Sequence, residues 1–247
     1  MTKNKILNVE KEFLDYFEKG MKYDEIASLL NISKSSISLY VKEHGLVHPS
    51  KRKNLNESAF DNFNEESVYW LGFLWADGYV QNTNKNKTID LECIDKEHAE
   101  KLQKFLNISK ISIRNRNNSV TYRVYCSSSK LVNRLYELGF DIKDKRVNIP
   151  NIPKEYLLVF LRGYFDGDGH IRINKERFEG IDISGRIEFI NNLNITFPYF
   201  IRTEFHSTHS ARVYTGVDNG VKFLNDIYKN ANIYLERKYK CALPFRE

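Results

Sequence analysis

Two nine-residue stretches hold residue types that could do chemistry together: Trp70-Leu-Gly-Phe-Leu-Trp-Ala-Asp-Gly78 and Leu161-Arg-Gly-Tyr-Phe-Asp-Gly-Asp-Gly169. Each has small residues at i and i+4, Gly72 with Ala76 and Gly163 with Gly167, and each closes on Asp-Gly. A glycine inside a helix costs about 0.5–1 kcal/mol relative to alanine. Its placement at the same register in both stretches predicts two helices whose backbones nearly touch, as small-xxx-small faces allow. Gly78 and Gly169 are expected to stop those helices in the left-handed conformation. Asp77 and Asp168 then lie at helix C-termini, where the macrodipole is already negative.

Two carboxylates and two negative helix ends at one spot are electrostatically poor. A divalent cation resolves this, with Asp77, Asp168 and the carbonyls of Ala76 and Gly167 as oxygen ligands. Oxygen-only ligation by few protein groups suits Mg²⁺ completed by water and phosphate. Beside a phosphodiester, such an ion orients a water, lowers its pKa and stabilises the leaving oxygen. One Asp-Gly is ordinary helix punctuation; two copies in matched register need another reason.

The elements that must position these acids are legible in the periodicity. Glu65–Asp77 has helical spacing; Tyr79–Thr83 and Thr88–Ile94 alternate as strands; Asp95–Leu106 returns to helix. Strands over 111–116 and 120–126 and a helix over Ser129–Leu138 follow. A second cycle runs from a helix over Glu155–Asp168 through strands 170–174 and 178–184, a helix from Arg186, strands 201–206 and 211–214, and a helix over 217–229. The two cycles are offset by 91 residues, which predicts two similar half-domains, 61–147 and 148–247. Ahead of them lies a polar stretch, residues 48–60, with Pro49 and the basic run Lys51, Arg52, Lys53, expected as a linker.

Residues 1–47 read as three short helices. Ile26, Leu30, Ile32, Ile37 and Tyr40 face one small core, and Asn31 falls at a turn where a left-handed backbone suits asparagine. This looks like a helix-turn-helix, whose second helix would offer Lys34, Ser35, Ser36, Ser38 and Lys42 to a major groove and its phosphates.

The chain has 247 residues, a formal charge of +6 and 41% apolar residues, enough for a core and against disorder. The positive charge is concentrated: residues 101–146 hold eleven Lys/Arg against three acids, which favours a polyanion as partner. Three scattered cysteines argue against a disulfide or zinc framework. No apolar run approaches a membrane span, and the N-terminus lacks the pattern of a secretory signal, so a cytoplasmic protein is expected.

Both Asp-Gly stretches resemble the LAGLIDADG motif of homing endonucleases, over about residues 60–247. The second is the closer match; the first departs at Trp75, where that family often has an acid. The family's metal-binding acid is the residue before the final glycine, here Asp77 and Asp168. The resemblance implies an α+β fold: a pseudo-two-fold pair of αββαββα half-domains in one chain, here behind a small all-α helix-turn-helix domain, with two saddle-shaped sheets along DNA. It also implies a lysine near each acid, in the loop after the last strand-helix unit of each half, here residues 141–150 and 234–240. Lys145 and Lys238 are the expected pair, with Lys143 and Lys240 as rivals, able to offset phosphate charge or organise the hydrolytic water.

Strand alternation then assigns a DNA face. Ile171 and Ile173 are expected in the core, so Arg172 and Asn174 point outward with His170. Gln81 and Thr83 do so in the first half, with Arg114, Arg116, Arg123, Arg202 and Arg212; such residues can read base edges. His206 and His209 are read as two exposed histidines. The expected function is a monomeric, site-specific DNA double-strand endonuclease using Mg²⁺, prokaryotic, phage-borne or organellar. A cleavage-dead transcriptional regulator and an intron RNA maturase are the alternatives.

Overall fold

A computed structural model of the protein describes residues 6, 9–44, 46, 55–83, 86–116, 119–141 and 146–246. The chain divides into two compact units, Met1–Asn54 and Leu55–Glu247. In the first, α1 (Glu10–Glu18), α2 (Tyr23–Leu29) and α3 (Lys34–Glu43) close over Ile6, Phe13, Phe17, Ile26, Ile37 and Tyr40. Asn31 takes a left-handed φ of 50° between α2 and α3. Ser33 caps α3, its Oγ accepting the Ser36 amide at 3.1 Å.

The second unit runs α4 (Glu65–Asp77), β1 (Tyr79–Asn82), β2 (Lys87–Cys93), α5 (Lys96–Phe105), β3 (Ser112–Arg116), β4 (Ser119–Ser127) and α6 (Ser129–Glu137). It then repeats with α7 (Leu157–Asp168), β5 (Gly169–Asn174), β6 (Arg177–Arg186), α8 (Ile187–Thr196), β7 (Arg202–Phe205), β8 (Ser210–Tyr214) and α9 (Val217–Tyr228), and ends in α10 (Glu236–Ala242). The two antiparallel sheets have matching order, β1-β2-β4-β3 and β5-β6-β8-β7. This is the expected pair of αββαββα half-domains.

Local sequence explains the start of α4. Asn64 accepts the Ser67 amide at 2.9 Å and Ser67 Oγ accepts the Asn64 amide at 3.0 Å, a reciprocal box that satisfies two otherwise orphaned donors. From Val68 to Ala76 every residue is buried, because α4 is the central helix of the core and has no polar face. Its partner is α7. A Cβ on Gly72 would lie 2.2 Å from Phe160 O, and one on Gly163 would lie 2.1 Å from Tyr69 O. Tyr69 and Phe160 are themselves 91 residues apart, so the crossing is pseudo-two-fold.

Three expectations are corrected. Gly78 and Gly169 are extended, with φ −74° and −88°, not left-handed. They are small because a Cβ would strike Leu74 O at 2.5 Å and the Phe165 ring at 2.0 Å. Ile173 is 43% exposed rather than core, because the β5–β6 register shifts between Arg172 and Ile173 and a one-residue slip exchanges faces. Residues 236–242 form a helix rather than a loop, and that helix carries Lys238 into the interior.

Candidate active site

The close crossing of α4 and α7 brings their C-terminal acids together. The Asp77 carboxylate lies beside Gly167, its Oδ2 only 3.2 Å from where a Cβ would stand there. Asp168 is the next residue; it is half-buried and shares a cleft of about 330 Å³ with Trp75, Ala76, Arg146 and Tyr164. Burial first, and then the neighbouring Asp168, push the Tyr164 phenol far above its usual range, so it is a neutral hydroxyl there.

Each helix end is capped by a buried cation. Arg146 donates to Leu74 O at 2.9 Å, to Trp75 O, and to Gly78 O at 3.2 Å. Lys238 Nζ donates to Phe165 O at 2.5 Å, Gly167 O at 3.2 Å and Gly169 O at 2.5 Å. Leu74 and Phe165, like Gly78 and Gly169, are related by the 91-residue repeat, so the two cations are counterparts. Each also sits over an aromatic ring, Phe140 for Arg146 and Phe165 for Lys238. Burial pushes the Lys238 ammonium down to about 8, against the opposing pull of Asp166, Asp77 and Asp168. Burial likewise lowers Arg146, while Asp168 and Asp77 oppose the shift.

These caps revise the electrostatic expectation. The negative helix ends are already partly neutralised by protein cations, and the Gly167 carbonyl is engaged by Lys238. Arg146 was missed because it ends the basic run Lys143-Asp-Lys-Arg146, in which the lysines drew attention. Lys145 and Lys143 lie outside the described residues. Lys240 is exposed and pairs with Glu236 at 3.3 Å, which leaves Lys238 as the cation at α7.

The outward sheet residues are mostly engaged. Arg123 makes a two-pronged pair with Asp90, 2.6 Å through Nε. Arg114 holds Glu92 at 3.0 Å. Arg212 donates to Ser184 Oγ at 2.9 Å and lies 3.3 Å from Asp182. Arg202 contacts Glu204, and Asn174 donates to Glu179 at 3.1 Å. Arg172 ties Glu179 O and Thr215 O, each at 2.7 Å. Gln81 is half-buried on β1. Thr83 lies past β1 in the hairpin turn, where its Oγ1 accepts the Asn86 amide at 3.0 Å. Arg116 closes β3. His206 and His209 are both exposed, and His209 lines the cleft at Asp168.

In the N-terminal unit Ser35, Ser38 and Lys42 are exposed, and Lys34 holds Asp24 at 2.8 Å. Ser36 is buried instead, its hydroxyl 2.8 Å from Ser33 Oγ within the cap, so it does not face outward. Lys51, Arg52 and Lys53 lie outside the described residues.

Fold and site together define a two-lobed α+β protein built on a glycine-lined helix pair that ends in adjacent acids. A family model described as a LAGLIDADG-like domain matches residues 64–138 and 155–188. The fold of the chain is that of the LAGLIDADG homing endonucleases. The homing endonuclease I-WcaI bound to its DNA recognition sequence superposes with a TM-score of 0.54 at 17% identity, over 83% of this chain and 91% of that one. I-DmoI in complex with DNA and calcium gives 0.51 at 16% identity, over 72% and 96%. Among curated proteins, "Probable translation initiation factor IF-2" of Methanocaldococcus jannaschii is 28% identical over 191 residues. That match covers 72% of this chain but spans only 15% of that protein's length. No described helix is long and apolar enough to cross a membrane.

Proposed function

We propose that the protein is a site-specific DNA double-strand endonuclease that hydrolyses one phosphodiester in each strand. The observation that carries this reading is the placement of Asp77 beside Gly167 and Asp168 by the α4–α7 crossing. The fold likeness to homing endonucleases bound to DNA supports it. So does the donor chemistry. Among the described residues no group of three or more His, Cys, Asp or Glu side chains is placed to hold a metal ion. At the two helix ends the protein offers the carboxylates of Asp77 and Asp168 and backbone oxygen, a hard and incomplete set that suits Mg²⁺ keeping its waters. Calcium in the I-DmoI complex is in keeping with a divalent ion.

Asp77 and Asp168 would hold the ion, with the Ala76 carbonyl available and the Gly167 carbonyl shared with Lys238. When bound, Mg²⁺ supplies Lewis acidity toward phosphate and a more acidic water. The protein's own groups do the rest. Lys238 and Arg146 keep positive potential behind the acids, which favours the extra charge on the oxygens of a pentacoordinate phosphorus. The sheet faces, with Gln81, Arg114, Arg116, Arg123, Arg172, Asn174, Arg202 and Arg212, would lie against the duplex. Phosphate then competes with Asp90, Glu92, Asp182 and Glu204 for the arginines. In the N-terminal unit Lys34, Ser35 and Ser38 would add flanking contacts, with the basic run Lys51, Arg52 and Lys53 on phosphate.

Incubation of a randomised duplex library with protein and Mg²⁺, followed by sequencing of the product ends, tests the reading. The expected result is paired cuts at one consensus site, lost in Asp77→Asn and in Asp168→Asn while binding persists. Wild-type-like cutting by either variant would reject the assignment. Binding without any cutting by the wild type would favour a DNA-binding regulator.

A further inference from the structure

The two motif helices differ most sharply at the repeat position held by Trp75 in the first and Asp166 in the second. Trp75 packs edge-on against Phe140 and Phe160. Asp166 is wholly buried and accepts three hydrogen bonds. Tyr228 Oη donates to Oδ1 at 2.6 Å, while Tyr69 Oη at 2.8 Å and the Leu235 amide at 2.7 Å donate to Oδ2. A carboxylate removed from water persists only when its lone pairs are met in this way.

The Leu235 bond matters most for the site. Leu235 is the N-cap residue of α10, and its carbonyl accepts the amides of Lys238 and Tyr239, each at 3.0 Å. The carboxylate thus anchors the first turn of the helix that carries Lys238. The ammonium returns to the carbonyls of Phe165, Gly167 and Gly169, which flank Asp166 and Asp168 in the chain. The result is a closed circuit: α7 holds α10 through Asp166, and α10 holds the end of α7 through Lys238. In the first half the cation is Arg146, it lies outside any helix, and Trp75 offers no carboxylate to anchor it.

We propose that Asp166 is a positioning residue that seats Lys238 at the α7 half-site by fixing Leu235, so that cleavage of one strand depends on it and cleavage of the other does not. This rests on the endonuclease reading above. Asn at this position keeps the shape but turns one acceptor into a donor facing donors. A displacement of about 1 Å at a reacting centre costs on the order of 10²-fold in rate.

The test uses a plasmid carrying the cleavage site recovered from the library, with nicking of each strand followed separately in Mg²⁺. Asp166→Asn is expected to slow the strand that Lys238→Met also slows, by on the order of 10–100-fold. The other strand stays within about twofold, so nicked circles accumulate. In a Lys238→Met background Asp166→Asn adds no more than about twofold on the affected strand, because both act through one ammonium. Equal slowing of both strands, or fully additive losses, overturns the assignment. If Asp166→Asn does not fold, Leu235→Pro removes the same bond from the other side, since φ of −81° suits the ring; it must show the same strand selectivity. A wild type that cuts no duplex removes the endonuclease reading and this assignment with it. Wild-type cutting with an unmoved strand ratio in the variants removes this assignment alone.

Discussion

Gly163→Ala should damage the protein although alanine is the better helix former. The new Cβ would stand 2.1 Å from Tyr69 O and 2.9 Å from Phe73 N, where an ordinary contact begins at 3.4 Å. The obstacles are backbone atoms of α4, so no rotamer change relieves the clash, and the two helices must part by about 1.3 Å. Alanine returns about 0.5–1 kcal/mol by reducing the freedom of the unfolded chain. Overpacking of this kind costs about 1–3 kcal/mol, for a net loss between about 0 and 2.5 kcal/mol. The larger consequence is at the helix ends. Asp77 and Gly167 meet through the same crossing, so parting the helices opens the acidic pair, and cleavage should fall on the order of 10²-fold. The assay pairs the urea-unfolding midpoint with plasmid cleavage on one preparation. Gly216→Ala is the control, since its Cβ would meet nothing nearer than Ile201 Cδ1 at 3.4 Å. Gly163→Ala protein at least as stable as wild type and cutting at the wild-type rate would refute the close crossing as the basis of the site.

Three further expectations follow from the same geometry. Chelation of divalent ions should abolish cutting while a gel shift of the target duplex persists; cutting that survives exhaustive chelation would exclude the ion. His98 is buried against Tyr69, its Nε2 3.2 Å from the hydroxyl, and burial pushes its pKa down to about 3 from an ordinary 6.5. Its lowered value means that the neutral ring's contribution is complete above about pH 6.5 and is lost as pH falls toward 3, by up to about 5 kcal/mol. Urea midpoints across that range should fall in wild type and less steeply in His98→Phe; parallel profiles would count against it. Asp90→Asn should release Arg123 to phosphate, tightening non-specific duplex binding and steepening its log–log salt slope by about 0.9; fluorescence anisotropy that shows an unchanged slope would place Arg123 away from the duplex.

Much of this architecture was legible in the chain because its signals are local. The strand and helix periods, the 91-residue offset and the glycines at i and i+4 each reflect a constraint within a few residues, and together they specify two half-domains and a close helix pair. Asn31 showed its left-handed turn for the same reason. The site was legible only in part. Asp77 and Asp168 stood out because the repeat marks them twice. Asp166 lies inside a motif, yet nothing local shows that three donors from residues 69, 228 and 235 converge on it. Arg146 looked like the tail of a basic run. Lys238 looked like part of a solvated loop, because α10 is short, polar and held by a carboxylate 69 residues away rather than by its own propensity.

The outward faces of the sheets mark the same boundary. Alternation indicates which arginines leave the core, since a strand's period is two whatever surrounds it. It does not indicate that Arg123 meets Asp90, Arg114 meets Glu92 and Arg212 meets Asp182, because cross-strand partners depend on register. One shift at Arg172 and Ile173 also moved an isoleucine out of the core. The sequence by itself determined two acid-tipped helices that must cross closely, because glycine and alanine at fixed spacing leave no other use for that face. Only the tertiary structure decided what stands behind the acids, because a buried charge is admitted by partners drawn from distant parts of the chain.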